Sequence, residues 1–388
     1  MSRFFDLVSK PAREMGLYTP VPSLAAQATE AASPRLIKLD SNENPFGPSP
    51  RAVEAMRHAV SSSNFYPEDD CNELRHTLAA YHDLPADQIM VTAGSTALLS
   101  LLCQTLLAPR LNAVTSERSF IVYSLAVQAA GADLIEAPMR ENTFDPGAIL
   151  DAIDKNTRLV FLANPNNPTG TILGAAVIDK FLARVPANVV VVLDEAYYEF
   201  AAHFASIRGT NYSRSVEYVR QGAGVVVLRT FSKAHGLAGL RIGFGMGPAE
   251  LLAYCAHLRN TFSVSSVAQA AAVAALNDQN HLALVVANNA TQAAVLEEAL
   301  TAMGLSVTPT YANFLYCELG ENAAPFVLRL RDEGVSVRPL GPWGAPNAIR
   351  VTVGTPEQND FFLRTMRTMV TQPAAGISRN PTTQIVQL

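Results

Sequence analysis

Four stretches of this chain are apolar along almost their whole length, and each breaks off into polar residues. Ile89-Met90-Val91-Thr92-Ala93 runs into Gly94-Ser95-Thr96. Residues 158–163 run into Asn164-Pro165-Asn166-Asn167-Pro168-Thr169-Gly170, residues 189–193 into Asp194, and residues 225–228 into Arg229-Thr230. A strand that is apolar throughout has both faces covered, as in a parallel sheet packed between helices. A Leu-rich helical stretch, residues 97–107, follows the first run. The alternation predicts an α/β fold. Open α/β sheets bind their ligands just past the carboxyl ends of the strands, so the polar clusters are the place to look for chemistry.

The pattern changes near residue 275. A long Ala-rich helical stretch, residues 281–303, precedes two strand-like pieces at 313–318 and 348–353 and a closing helix at 357–370. This predicts a large α/β domain over 46–275 and a smaller α+β domain over 276–370, joined by part of the first 45 residues. Residues 18–34 read as an extended arm and 371–388 as a loose tail. A length of 388 residues suits two domains.

Charge and composition narrow the partners. With 29 basic and 34 acidic residues the net charge is −5, which offers no basic excess for nucleic acid or an anionic membrane. No signal peptide and no transmembrane-length apolar run is expected. Cys71, Cys103, Cys255 and Cys317 are too far apart for a metal or redox motif and read as reduced thiols of a cytoplasmic protein. The seven His lack metal-ligand spacing, so no metal site is expected. Gly243-Phe244-Gly245-Met246-Gly247 reads as a close-packed strand rather than a dinucleotide loop.

Taken singly, each polar cluster has an ordinary explanation: a solvated lysine, an N-capped helix, a turn, a helix cap. Taken together they ask for one ligand. Lys233, past the fourth run, can form a Schiff base with an aldehyde, while Thr230, Ser232 and Arg241 can hold a phosphate. Gly94, Ser95 and Thr96 open a helix whose free N–H groups suit the same phosphate. Asn167 can donate to a phenolate oxygen, and Asp194, at the end of an apolar run, needs a partner such as a protonated pyridine nitrogen. Tyr197 lies in the same turn. Pyridoxal 5′-phosphate carries all four of these groups.

Further motifs are Leu39-Asp40-Ser41-Asn42-Glu43-Asn44-Pro45-Phe46-Gly47-Pro48-Ser49-Pro50, Tyr66-Pro67, Asp194-Glu195-Ala196-Tyr197, the segment from Ser232-Lys233 to Arg241, Asn313-Phe314, Arg338-Pro339-Leu340 and Arg350-Val351-Thr352-Val353-Gly354-Thr355. With Asn166-Asn167-Pro168-Thr169-Gly170, they make residues 35–370 resemble the class I/II, fold type I aminotransferases. Among these the chain is most similar to the histidinol-phosphate aminotransferase group. The resemblance implies a large domain with a mostly parallel, seven-stranded type of sheet between helices, and a smaller α+β domain. It implies ping-pong amino transfer on pyridoxal 5′-phosphate, with L-histidinol phosphate as donor and 2-oxoglutarate as acceptor, giving imidazole acetol phosphate and L-glutamate.

It also implies roles. Lys233 carries the cofactor and moves the proton, Asp194 keeps the ring nitrogen protonated, and Asn167 and Tyr197 hydrogen-bond the phenolic oxygen. Gly94, Ser95, Thr96, Thr230, Ser232 and Arg241 hold the phosphate, and Phe120 stacks on the ring. Tyr66 reaches the phosphate from the other subunit, which makes the expected assembly a homodimer. Arg350 clamps a carboxylate, while Arg338, Tyr123, Tyr18 and Asn44 complete the candidate substrate site.

Several positions depart from that group. Ser95-Thr96 stands where the group has an acidic pair, Glu117-Arg118-Ser119 precedes the stacking Phe120, His235 stands where an aromatic residue is common, and Trp343 where Tyr or Gly-rich sequence is found. These positions surround the substrate pocket, so two other activities share the cofactor reading. One is an aromatic amino acid aminotransferase acting on phenylalanine or tyrosine. The other is a decarboxylase, lyase or cyclodehydratase of secondary metabolism. A regulator built on this fold would need a DNA-binding module, for which the roughly 35 residues ahead of the resemblance are too few.

Overall fold

The computed structural model describes residues 4–5, 7–15 and 36–371. The arm expected at 18–34, with Tyr18, and the tail beyond 371 lie outside the described residues.

In chain order the first strands are β1 (Ile37–Leu39), β2 (Ile89–Thr92), β3 (Asn112–Ser116), β4 (Asp133–Ala137), β5 (Met139–Arg140), β6 (Thr143–Phe144) and β7 (Thr157–Ala163). They are followed by β8 (Val190–Asp194), β9 (Val225–Thr230), β10 (Gly243–Met246), β11 (Ser306–Thr308), β12 (Phe314–Glu318), β13 (Val335–Pro339) and β14 (Ala348–Thr352).

Seven strands form the first sheet, in the order β2-β10-β9-β8-β7-β3-β4. All its pairings are parallel except those of β10, which runs antiparallel to β2 and to β9. Its middle is dry: Val160, Phe161, Val192, Val226 and Val227 show no exposure. Each such side chain stabilises the fold by about 1.5–3 kcal/mol relative to an exposed one. Parallel strands in register end together, so β7 and β8 finish side by side, Ala163 opposite Asp194. The polar residues that follow β7, β8 and β9 are thereby gathered on one edge.

The second sheet has five strands, β1-β13-β14-β12-β11. Here β1 pairs in parallel with β13, Ile37 opposite Val335 and Leu39 opposite Val337. The residues after β1 then cross to the carboxyl edge of the first sheet. The helix Gln279–Ala302 bridges the two layers. Its Ala293, Leu296 and Leu300 enter the core of the second sheet, while Val285 packs with Tyr197 and Phe200 beside the site. Among the described residues, no helix is long and apolar enough to cross a membrane.

Candidate active site

The strand ends of the first sheet and one face of the second enclose a cavity of about 260 Å³. Ser95, Thr96, Phe120, Asn167, Asp194, Tyr197, Thr230, Ser232, Lys233 and Arg241 line it from the first sheet. Arg338, Trp343 and Arg350 line it from the second, and Asp40, Ser41 and Asn42 from the segment after β1.

Lys233 stands three residues beyond β9, and its Nζ donates to the Ser41 carbonyl at 3.3 Å. Burial, with the nearby Arg350 guanidinium, pushes its ammonium down to about 7. A lysine tuned in this way is in good part an uncharged amine at neutral pH, able to attack a carbonyl or accept a proton.

Asp194 closes β8. Its Oδ2 accepts from the Tyr123 hydroxyl at 2.9 Å, and its Oδ1 accepts from the Ala196 backbone N–H at 3.2 Å. Burial raises its carboxyl to about 6 in spite of these donors. A carboxylate so desolvated is relieved by a cation in the cavity.

Asn167 accepts from Arg350 Nη1 through Oδ1, at 2.6 Å, which leaves its Nδ2 hydrogens to donate. Arg350 Nη2 donates to the Asp40 carbonyl at 2.8 Å. The Tyr197 hydroxyl accepts from Asn42 Nδ2 at 3.0 Å.

An anion cradle lies at the start of the helix Ser95–Leu106, whose cap residue Gly94 supplies no side chain. Gly94 has φ +82°, and a Cβ there would come 2.7 Å from Arg241 Nη2. A Cβ on Gly243 would come 2.5 Å from the Ser95 nitrogen. These two glycines let the helix start, β10 and the guanidinium close on one spot. Arg241 Nη1 donates to Ser232 Oγ at 3.4 Å, and the Ser232 N–H donates to Thr230 Oγ1 at 3.1 Å. A guanidinium, two hydroxyls and a helix N-terminus suit a phosphate.

Beneath the cavity Arg229 and Glu195 form a buried ion pair at 2.8 Å. Ser215 Oγ donates to Glu195 Oε2 at 2.9 Å, Ser213 donates to Oε1, and the Arg229 guanidinium lies 3.3 Å over the Tyr198 ring. The turn after Asp194 is held by this network, which sequence reasoning did not find.

Three expected site residues stand elsewhere in this chain. Tyr123 does not line the cavity: it is stacked on Phe161, with ring centroids 4.7 Å apart, behind Asp194. Asn44 does not line the cavity; its Nδ2 donates to the Ala234 carbonyl at 2.9 Å and so steadies the lysine turn. Tyr66 is 83% exposed and stacked on Phe262, away from the cavity of its own chain. His235 is buried against Phe231, with Nε2 3.6 Å from Glu199 Oε1, and does not line the cavity. Asp40, Ser41 and Asn42 do line it. Their signal was the Leu39–Asn44 motif, in which only Asn44 carried an expected role.

The model of the family "Aminotransferase class I and II" matches residues 34–366. The chain belongs to the class I and II aminotransferases. It is 41% identical to histidinol-phosphate aminotransferase 2 of Pseudomonas aeruginosa over 368 residues, which span 94% of this chain and 98% of that protein. It is likewise 41% identical to the histidinol-phosphate aminotransferase of Akkermansia muciniphila, over 84% of this chain and 87% of that one. A crystal structure of the Sinorhizobium meliloti histidinol-phosphate aminotransferase in complex with pyridoxal-5′-phosphate matches with a TM-score of 0.84. That match has 26% identity and covers 94% of this chain and 98% of the other.

The residues of this aminotransferase fit that cofactor. The glycine-lined cradle would take its phosphate, Asp194 would pair with a protonated ring nitrogen, Asn167 and Tyr197 would donate to its phenolate oxygen, and the Lys233 amine would meet its aldehyde.

Proposed function

We propose that this aminotransferase takes its amino group from L-histidinol phosphate and passes it to 2-oxoglutarate. The observation that carries the reading is the pairing of two arginines. Arg338 on β13 lies directly opposite Arg350 on β14, and both line the cavity. Opposed residues of antiparallel strands share a face. Two guanidinium groups on one wall match a phosphate dianion better than the single carboxylate of a neutral amino acid. The relatives named above support the same donor.

Bound pyridoxal phosphate supplies an aldehyde to carry the amino group and a ring that draws electrons from the substrate Cα. The chain supplies the rest. Lys233 takes the proton from Cα of the donor and returns one to Cα of the acceptor in the second half. Asp194 holds a proton on the ring nitrogen, and Tyr123 holds Asp194. Asn167 and Tyr197 donate to the phenolic oxygen. The cradle around Gly94 and Arg241 anchors the phosphate, and Phe120 covers the ring. Arg350, with Arg338, orients the anionic end of each substrate.

A second subunit completes the site in this reading, by lending Tyr66 to the phosphate of its neighbour. The exposure of Tyr66 and its distance from its own cavity support that assignment. Two domains divided near residue 275, with β1 joined to the smaller one, suit the two sheets. Four buried, unpaired cysteines suit work in the cytoplasm.

Phe120 and Trp343 on the walls favour a second donor, phenylalanine or tyrosine. Steady-state kcat/KM decides between them. Preference for L-histidinol phosphate, with Arg338→Ala reducing that donor far more than L-phenylalanine, supports the first reading. Preference for phenylalanine, unaffected by Arg338→Ala, makes the enzyme an aromatic aminotransferase.

A further inference from the structure

Asn42 occupies an unusual place. It sits between the two sheets, is 1% exposed, and has φ +56°, a left-handed conformation that asparagine and glycine tolerate best. The second sheet grips its backbone. Its N–H donates to Thr352 Oγ1 at 2.9 Å, and its carbonyl accepts from Asn313 Nδ2 at 3.1 Å. Its side chain reaches the other way, with Nδ2 3.0 Å from the Tyr197 hydroxyl and Oδ1 3.3 Å from Thr352 Oγ1.

The network assigns the orientation of the amide. Thr352 Oγ1 already accepts the Asn42 N–H, so its own hydrogen needs an acceptor, and Asn42 Oδ1 is there. With Oδ1 committed, the amide can only donate to Tyr197. A phenol has one hydrogen. Because Asn42 fills an acceptor position on the Tyr197 oxygen, that hydrogen cannot point at Asn42 and is left for the cavity, which both residues line.

We propose that Asn42 is a positioning residue for amino transfer, which sets the direction in which Tyr197 donates and so strengthens its hydrogen bond to the phenolic oxygen of the cofactor. The proposal rests on the reading that pyridoxal phosphate places that oxygen beside Tyr197. It assigns Asn42 no contact with substrate. The charged groups that bear on Tyr197 are Arg350, Asp194 and Lys233. Lys233 and Arg350 donate to the backbone carbonyls of Ser41 and Asp40 rather than to the Asn42 side chain, which is why the unstrained Asn42→Gly is the deciding variant.

The test is a pH titration of the visible absorption band of the bound cofactor in the holoenzyme. Asn42→Gly removes the amide and keeps the left-handed backbone unstrained; Asn42→Ala removes the same amide and adds strain. Loss of one neutral hydrogen bond should move the midpoint upward by about 0.5–1 pH unit in both variants. In a Tyr197→Phe background neither substitution should move it further. An unchanged midpoint in Asn42→Gly, while Tyr197→Phe alone shifts it, overturns the role of Asn42 and leaves the reading of Tyr197 standing. So does a shift confined to Asn42→Ala, or one that persists in full without the Tyr197 hydroxyl. If Tyr197→Phe itself shifts nothing, the placement of the phenolic oxygen falls and the proposal falls with it.

Discussion

The Tyr123 hydroxyl donates to Asp194 Oδ2 across 2.9 Å, and the two side chains are 1% and 6% exposed. The contact holds a carboxylate in its charged form where burial opposes charge. Burial has already raised Asp194 to about 6, and the Tyr123 bond works against that rise. Tyr123→Phe should therefore raise Asp194 further and leave more of it protonated at neutral pH. Cofactor affinity at pH 7 should fall about 3- to 10-fold, as for one lost hydrogen bond, and recover toward pH 8.5. Fluorescence titration of the cofactor-free protein reads this. Equal affinity at both pH values would place the Asp194 charge under other control.

Lys233 makes the cofactor-free protein sensitive to pH in a defined window. Its ammonium titrates near 7 in the folded chain against an ordinary value of 10.5. Between those values the unfolded chain binds the extra proton, so stability rises with pH across the window. The contribution is complete above about 10.5 and lost as pH falls toward 7. Denaturant midpoints at pH 7 and pH 10 for the native chain and for Lys233→Met test it. The native protein should gain on the variant at pH 10, and parallel behaviour would contradict the buried, neutral amine.

Arg229 and Glu195 face each other at 4% and 1% side-chain exposure. Arg229→Met would leave the Glu195 carboxylate buried with only two hydroxyl donors, Ser213 and Ser215. Breaking such a pair costs about 3–5 kcal/mol. Urea unfolding should show a loss of that size, and Arg229→Met/Glu195→Gln should recover part of it. A loss under ~1 kcal/mol would mean that water relieves the orphaned charge.

Arg350 meets both Asn167 and the Asp40 backbone, so its guanidinium is held before any substrate arrives. Arg350→Ala should raise KM for 2-oxoglutarate about 10- to 100-fold, the worth of a charge-assisted hydrogen bond, while the purified variant still carries cofactor. An unchanged KM would put the carboxylate clamp elsewhere.

The parts of this molecule that could be read from sequence share a physical reason. β7, β8 and β9 are buried on both faces and therefore carry unbroken apolar runs, residues 159–163, 190–193 and 225–228, which mark them without reference to their neighbours. Their polar ends could be read for the same reason. β4 escaped notice because, unlike the buried edge strand β2, it carries Asp133 and Glu136 on exposed positions at its edge of the sheet. β13 escaped because Ser336 and Arg338 interrupt it and Pro339 ends it, Arg338 facing the cavity rather than a core. Tyr123 was expected on the cavity wall and stands behind Asp194 instead, because its place near Phe120 in the sequence does not reveal which side of Asp194 it occupies. Asn42 acts on Tyr197 across 155 positions and on Thr352 across 310, and no local pattern records contacts of that range.

Lys233 carries both the cofactor and the proton in the proposed reaction, and one variant tests this most directly. Lys233→Ala, saturated with pyridoxal phosphate, should lose turnover of L-histidinol phosphate with 2-oxoglutarate by more than about 10⁴-fold, since nucleophile and proton carrier go together. Its bound cofactor should absorb as the free aldehyde rather than as the lysine-linked form. Turnover near the native rate in that variant would contradict the assignment of both roles to Lys233.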